Sequence, residues 1–302
     1  VGAGLGLYGL RTVPLVGRAA ERDVLWSGLK RVTTSGQPHA IVLQGPSGCG
    51  KSRLAQALIE RAHEVGGASH LRALHGATPG PFQGLGPMVD RHLRCVGLDP
   101  RATLQRILRL LRHRPEDDAL ADAQALTALV RPGGTTQQDA PTFRFESMEQ
   151  RFVVIERLLA DATRIRPAIV WLDDAQWGAD ALAFADHLLG ADRAPPVLLL
   201  LTVQTEALTE RRRESALLTR LLRRENAEVI DVAPLTPAET RDLVQSLLGF
   251  SSDLAAQVER RTAGNPLFAV ELVRDWVHRG LLEAGPRGLH LAANVSVELP
   301  TD

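Results

Sequence analysis

Eight consecutive residues, Gly45-Pro46-Ser47-Gly48-Cys49-Gly50-Lys51-Ser52, constrain this chain more than any other stretch. They spell G-x-x-x-x-G-K-[ST], a loop whose glycines, lacking a Cβ, let successive backbone N–H groups curl around a phosphate. A helix starting near Lys51 adds the positive end of its dipole. Lys51 can reach terminal phosphates, and the Ser52 hydroxyl can ligate Mg²⁺. The flanks agree. Ala40-Ile41-Val42-Leu43 is strand-like, Leu54, Leu58, Ala62 and Val65 recur at helical spacing, and Gly66-Gly67 supplies a stop. A chance glycine turn would need neither flank. Lysine occurs at only two positions, Lys30 and Lys51, in an arginine-rich chain. The stretch reads as a nucleotide-binding strand, loop and helix.

The rest of the composition sets bounds. The chain has 302 residues, 44% of them hydrophobic, enough for one large domain with an appendage or for two ordinary ones. Lys+Arg and Asp+Glu both number 35, so no global field argues for direct nucleic-acid binding. Two cysteines, Cys49 and Cys95, make no disulfide framework, and a reducing cytoplasm is the expected home. No apolar run approaches the roughly 18 residues of a membrane helix. The chain begins at Val1 and stops at Thr301-Asp302, and we read it as a piece of something longer.

Gly4-Leu5-Gly6-Leu7-Tyr8-Gly9 matches a dinucleotide fingerprint, but no strand precedes it and Pro14 follows, so residues 1–12 read as a linker. A helix is expected from Ala19 to Thr33, then strands at Ser69–Leu74, Ala168–Leu172, Val197–Val203 and Val229–Val232. Helices are expected at Met88–Cys95, Leu104–Leu111, Phe145–Ile165, Ala179–Leu189 and Arg211–Glu225. The polar segment Arg131–Phe143 reads as a mobile excursion. Strands alternating with helices imply an α/β fold, a parallel sheet flanked by helices, over residues 13–233. Residues 234–302 read as a small helical lid. Thr236-Pro237-Ala238-Glu239 is a capping box, Ser251 or Ser252 opens a second helix, and Asn265-Pro266 starts a third. A hairpin over Leu281–Leu291 closes it.

Ile169-Val170-Trp171-Leu172-Asp173-Asp174 is an apolar strand ending in two carboxylates. Projecting beside the phosphate loop, it would place Asp173 to hold Mg²⁺ through water and Asp174 to orient an attacking water. Many strands end in a polar turn, so the weight comes from position downstream of the loop. Trp171 and Trp177, bracketing the pair, read as core. The arginines at 211, 212, 213, 220, 223 and 224 are interleaved with glutamates and read as a solvated face.

Leu15-Val16-Gly17-Arg18, Glu21, the phosphate loop, LDDAQWGAD at 172–180 and GNPLFAVEL at 264–272 occur in that order. As a set they resemble the signal-transduction ATPases with numerous domains, the STAND branch of the AAA-type P-loop proteins, and in particular Orc1-like ATPase modules of bacterial transcription regulators and large serine/threonine kinases. The resemblance runs from about Val13 to Leu291. It implies ATP and Mg²⁺ as cofactors, adenine contacts from Val16, Gly17 and Pro266, phosphate contacts from Gly45 through Ser52, a metal held by Ser52 and Asp173, and catalytic roles for Lys51, Asp173 and Asp174. It also implies a parent protein carrying a kinase, sensor repeats or a DNA-binding module, with nucleotide-dependent self-association.

Two departures bear on rate. Where the family often carries T-x-R after the fourth strand, this chain has Thr202-Val203-Gln204, and Gln204 brings no charge. Asp174 stands where glutamate is common. Both suit a slow ATP/ADP switch in bacterial signal transduction. The alternative is a catalytically weak nucleotide-binding module within a kinase or transcription regulator. Protein-kinase signatures are absent from these residues, and no winged helix supports a DNA binder.

Overall fold

A computed structural model describes residues 14–133, 143–248, 252–285 and 288–291. The expected linker over residues 1–12 and most of the polar excursion, 134–142, lie outside the described residues.

Five strands form a parallel sheet: β1 (His39–Gly45), β2 (Ser69–Leu74), β3 (Ala168–Asp173), β4 (Val197–Gln204) and β5 (Ala227–Asp231), in the order β2-β3-β4-β1-β5. Leu71 stands opposite Val170, and Val170 opposite Leu199. The runs in β3 and β4 are unbroken apolar sequence because both faces are covered; every residue of β3 and all of β4 but Gln204 are buried. Strand β4, not β3, is the neighbour of β1. It lies between β1 and the carboxylate strand β3. The apolar run of β4 occupies that central place, and Gln204 ends it.

The helices are α1 (Ala19–Ser35), α2 (Lys51–Glu64), α3 (Leu85–Leu93), α4 (Pro100–Leu110), α5 (Glu116–Val130), α6 (Met148–Ala162), α7 (Ala179–Gly190), α8 (Thr205–Leu208) and α9 (Arg212–Leu221). Helix α5 has no counterpart in the sequence reading. It buries Ala119, Ala123, Ala125, Leu126 and Val130, and small alanine side chains give its apolar face little contrast. The expected charged helix Arg211–Glu225 is shorter, and the one-turn α8 precedes it.

By internal contacts the chain forms two compact units. One spans Val24–Leu43 and Leu58–Ile230. Its core joins Val42, Leu71, Val170 and Leu199 of the sheet to Phe152 and Ile155 of α6 and Phe184 and Leu188 of α7. Asp186 of α7, buried at 5% exposure, accepts from Arg220 at 2.6 Å and from Arg224 at 2.5 Å, tying α7 to the end of α9. These two arginines therefore hold a buried carboxylate.

The other unit draws its described residues from Val1–Asp23, Gln44–Ala57 and Asp231–Asp302. Helices α10 (Pro237–Leu248), α11 (Ser252–Thr262) and α12 (Pro266–His278) pack Leu243, Val244, Leu254, Val258, Val273 and Trp276 together. Their starts follow the sequence. Thr236 N–H donates to Glu239 Oε2 at 2.9 Å while Glu239 N–H donates to Thr236 Oγ1 at 3.3 Å, a complete capping box with Pro237 at the first helical position. Strands β6 (Leu282–Gly285) and β7 (Gly288–Leu291) pair antiparallel as the hairpin.

Candidate nucleotide site

Strand β1 delivers the loop and α2 begins at Lys51, so the loop is clamped at both ends by regular structure. Gly48 and Gly50 take φ of 78° and 95°, the left-handed region that favours glycine. Lys51 is buried, and its Nζ donates to the carbonyl oxygens of Gly45 at 2.9 Å and Pro46 at 2.6 Å. The ammonium thus lies across the glycine loop.

Two other stretches of the same unit meet this loop. Asn265 caps α12: its Oδ1 accepts from Leu267 N–H at 3.1 Å and Phe268 N–H at 3.3 Å. The same side chain donates through Nδ2 to the carbonyl oxygen of Ser47 at 2.9 Å, and Leu267 N–H reaches the carbonyl of Gly48 at 3.3 Å. A Cβ added at Gly48 would stand 2.6 Å from Asn265 Oδ1, so glycine permits the approach. Pro266 Cγ lies 3.9 Å from a Cβ built on Gly50.

From the other side comes Val16-Gly17-Arg18. Val16 packs against the helical core. Gly17 has φ 64°, and a Cβ there would sit 2.1 Å from Glu239 Oε1. Arg18, buried and also left-handed at φ 60°, donates to the carbonyls of Ala233 and Cys49 and to Glu21 Oε1 at 3.0 Å. The backbone N–H of Thr236 holds the Glu239 carboxyl below its ordinary value; the Thr236 hydroxyl and Arg18 act in the same direction, against partial burial. Val16, Gly17, the loop from Gly45 to Ser52 and Pro266 are therefore gathered in one unit. Arg18 and Asn265, to which the sequence reading gave no contact of their own, hold them there. The signal for Asn265 was present as an N-cap before proline.

The two carboxylates belong to the other unit. Asp173, at 5% exposure, accepts from Thr202 Oγ1 at 2.6 Å on Oδ1 and from Arg72 Nη2 at 2.5 Å on Oδ2. The Arg72 guanidinium lies 3.9 Å from the centroid of the buried Trp171 ring. Asp174 takes φ 54°, ψ 47°, and its N–H donates to Thr202 Oγ1 at 2.8 Å. Asp174 Oδ1 accepts from Gln176 Nε2 at 3.1 Å and Gln204 Nε2 at 3.2 Å, while Gln204 N–H donates to Gln176 Oε1 at 3.1 Å. Gln204 supplies no charge, yet it and the fully buried Gln176 orient Asp174 as a closed amide pair. Trp177, expected in the core, is only half buried and carries the Arg211 guanidinium 4.1 Å above its ring.

The donor chemistry fits a magnesium nucleotide. Among the described residues no group of three or more His, Cys, Asp or Glu could cage a metal, whereas Mg²⁺ is commonly held by one carboxylate, water and substrate phosphates. The phosphate loop supplies glycine amides and a lysine. Among the described residues no helix is long and apolar enough to cross a membrane.

Comparison with known proteins places this geometry. Residues 14–201 match the family model of the AAA ATPase domain, and residues 236–284 match that of a domain of unknown function. No curated protein matches the chain. Among solved structures, the Aeropyrum pernix ORC1 protein in complex with DNA is similar at 18% identity and TM-score 0.50, covering 89% of this chain and 61% of that one. Cdc6p from Pyrobaculum aerophilum is similar at 16% identity and TM-score 0.52, covering 91% and 65%. This chain thus spans less than two thirds of either relative, and at these identities the likeness speaks for the fold. With a family model matched over more than half its length, the chain belongs to the AAA ATPase domain family and has an Orc1-like P-loop fold.

Proposed function

We propose that this chain is an ATP-binding regulatory ATPase module of the STAND type that acts as a slow ATP/ADP switch in bacterial signal transduction. The observation that carries the reading is the Asn265 side chain, which caps α12 and donates to the phosphate loop at Ser47. A ligand that rearranges loop carbonyls acts on the start of a lid helix through Asn265 and the neighbouring Leu267 N–H, and such differential contact is what a nucleotide switch requires. In this reading Val16, Gly17 and Pro266 contact the adenine. The amides of Gly45 to Ser52 and the Lys51 ammonium bind phosphates, and Ser52 and Asp173 serve Mg²⁺, which when bound neutralises phosphate charge. Asp174 orients the water that attacks the γ-phosphorus, releasing ADP and phosphate. The output resides in other domains of a larger parent, a kinase, sensor repeats or a DNA-binding module, and the setting is cytoplasmic. Self-association follows the nucleotide state.

A second reading, a module that holds nucleotide with little turnover, draws on Gln204: the amide that meets Asp174 carries no positive charge for a γ-phosphate. Hydrogen exchange with ADP and with a non-hydrolysable ATP analogue tests the switch. We expect amides at the start of α12 to differ in protection between the two ligands. Identical protection throughout α10–α12 would contradict a switch.

A further inference from the structure

Asp173 is a buried carboxylate whose counter-charge comes from an unexpected place. Arg72 lies in β2, at the edge of the sheet, opposite Trp171. Its guanidinium runs along the strand face over the Trp171 ring and ends on Asp173 Oδ2 at 2.5 Å. We propose that Arg72 competes with the divalent cation for Asp173, so that metal binding requires this arginine to leave Oδ2. The proposal rests on the reading of Asp173 as the carboxylate that serves Mg²⁺.

Four features support exchange over a permanent brace. The pair is monodentate, one Nη2 on one oxygen, which is weaker than the two-pronged contact arginine makes with a well-presented carboxylate. Arg72 Nε is buried with no hydrogen-bond partner among the described residues, so the guanidinium is incompletely satisfied by them where it sits. Its side chain is 40% exposed against 7% for Asp173, which leaves the arginine a route to water that the carboxylate lacks. A second guanidinium stands nearby: Arg91 Nη2 donates to the backbone carbonyl of Arg72 at 2.6 Å, and the Arg72 charge is, after burial, a cause that lowers the Arg91 value. Thr202 Oγ1, by contrast, holds Oδ1 from the next strand and can stay when Oδ2 changes partner. A buried carboxylate needs a cation or strong donors in either arrangement, and Arg72 and the metal are alternative ways to meet that need.

The test uses the full chain saturated with ADP, so that no turnover intrudes, and Mn²⁺ as the probe, with free Mn²⁺ read by electron paramagnetic resonance. Arg72→Ala should tighten Mn²⁺ binding about tenfold, the factor set by losing a competing charge-assisted hydrogen bond at the low end of its range. Arg72→Gln keeps a donor without the charge and should tighten it by a smaller factor; it decides the matter if the alanine variant does not fold. Unchanged or weaker Mn²⁺ binding in the folded variants overturns the proposal. Asp173→Asn should weaken Mn²⁺ binding and abolish the effect of Arg72→Ala. If Asp173→Asn alone leaves Mn²⁺ binding untouched, the metal role of Asp173 fails, and the competition with it.

Discussion

Asn265 Nδ2 lies 2.9 Å from the carbonyl oxygen of Ser47, so one side chain both starts α12 and grips the phosphate loop. The two tasks use different atoms and can be separated. Asn265→Asp keeps the acceptor that caps Leu267 and Phe268 but cannot donate to Ser47; Asn265→Ala loses both. We expect the alanine variant to lose about 1 kcal/mol in denaturant unfolding. The aspartate variant should hold most of that stability, yet bind ADP more weakly by fluorescence titration with a labelled nucleotide.

A side chain at Gly17 is strained. Its φ of 64° and the 2.1 Å separation between Glu239 Oε1 and a Cβ placed on Gly17 act together. Gly17→Ala should cost about 2 kcal/mol, a left-handed penalty plus the displaced capping carboxylate. Chemical denaturation measures it, and a loss below about 0.5 kcal/mol would show that Glu239 gives way freely.

The same carboxylate makes the helical unit sensitive to acid. Its folded value lies below the ordinary 4.5, so its contribution is complete above that pH and shrinks as pH falls through the folded value. The stability gap between the parent chain and Glu239→Gln should be constant at neutral pH and narrow below about pH 4.5. A gap that widens on acidification has the wrong sign.

Much of this was legible in the sequence because the signals were local. The strand, loop and helix around Gly45–Ser52, the capping box at Thr236 and the hairpin after Leu281 each announce themselves within a few residues. Strands β3 and β4 follow their apolar runs. What was not legible depends on residues distant in sequence. Helix α5 hides because alanine marks its buried face. The placing of β4 between β1 and β3 is a crossover that no local pattern encodes. Arg72 in a strand looked ordinary until Asp173, far along the chain, met it across the sheet. Gln176 read as part of a motif, and its pairing with Gln204 required both strand ends to be in place.

The amide pair predicts a rate effect without a binding effect. Gln176→Ala removes one donor from Asp174 and leaves the Gln204 N–H without its acceptor. We expect kcat to fall about 10- to 100-fold with KM nearly unchanged, as misorientation of a water-positioning group does. A change confined to KM would place Gln176 in binding instead.

Asp186 tests the packing of α7 on α9. Asp186→Ala leaves Arg220 and Arg224 without their carboxylate and should cost about 1 kcal/mol in thermal or chemical unfolding, well short of a fully buried pair because both arginines reach water.

The most direct measurement is single-turnover ATP hydrolysis with Mg²⁺ by the full chain, with Lys51→Ala and Asp174→Asn alongside. We predict a phase of about 10⁻³ s⁻¹, the range of unassisted nucleotide switches, abolished by either substitution. Hydrolysis that persists in both variants, or no binding of ATP by the parent chain, would contradict the assignment of this site.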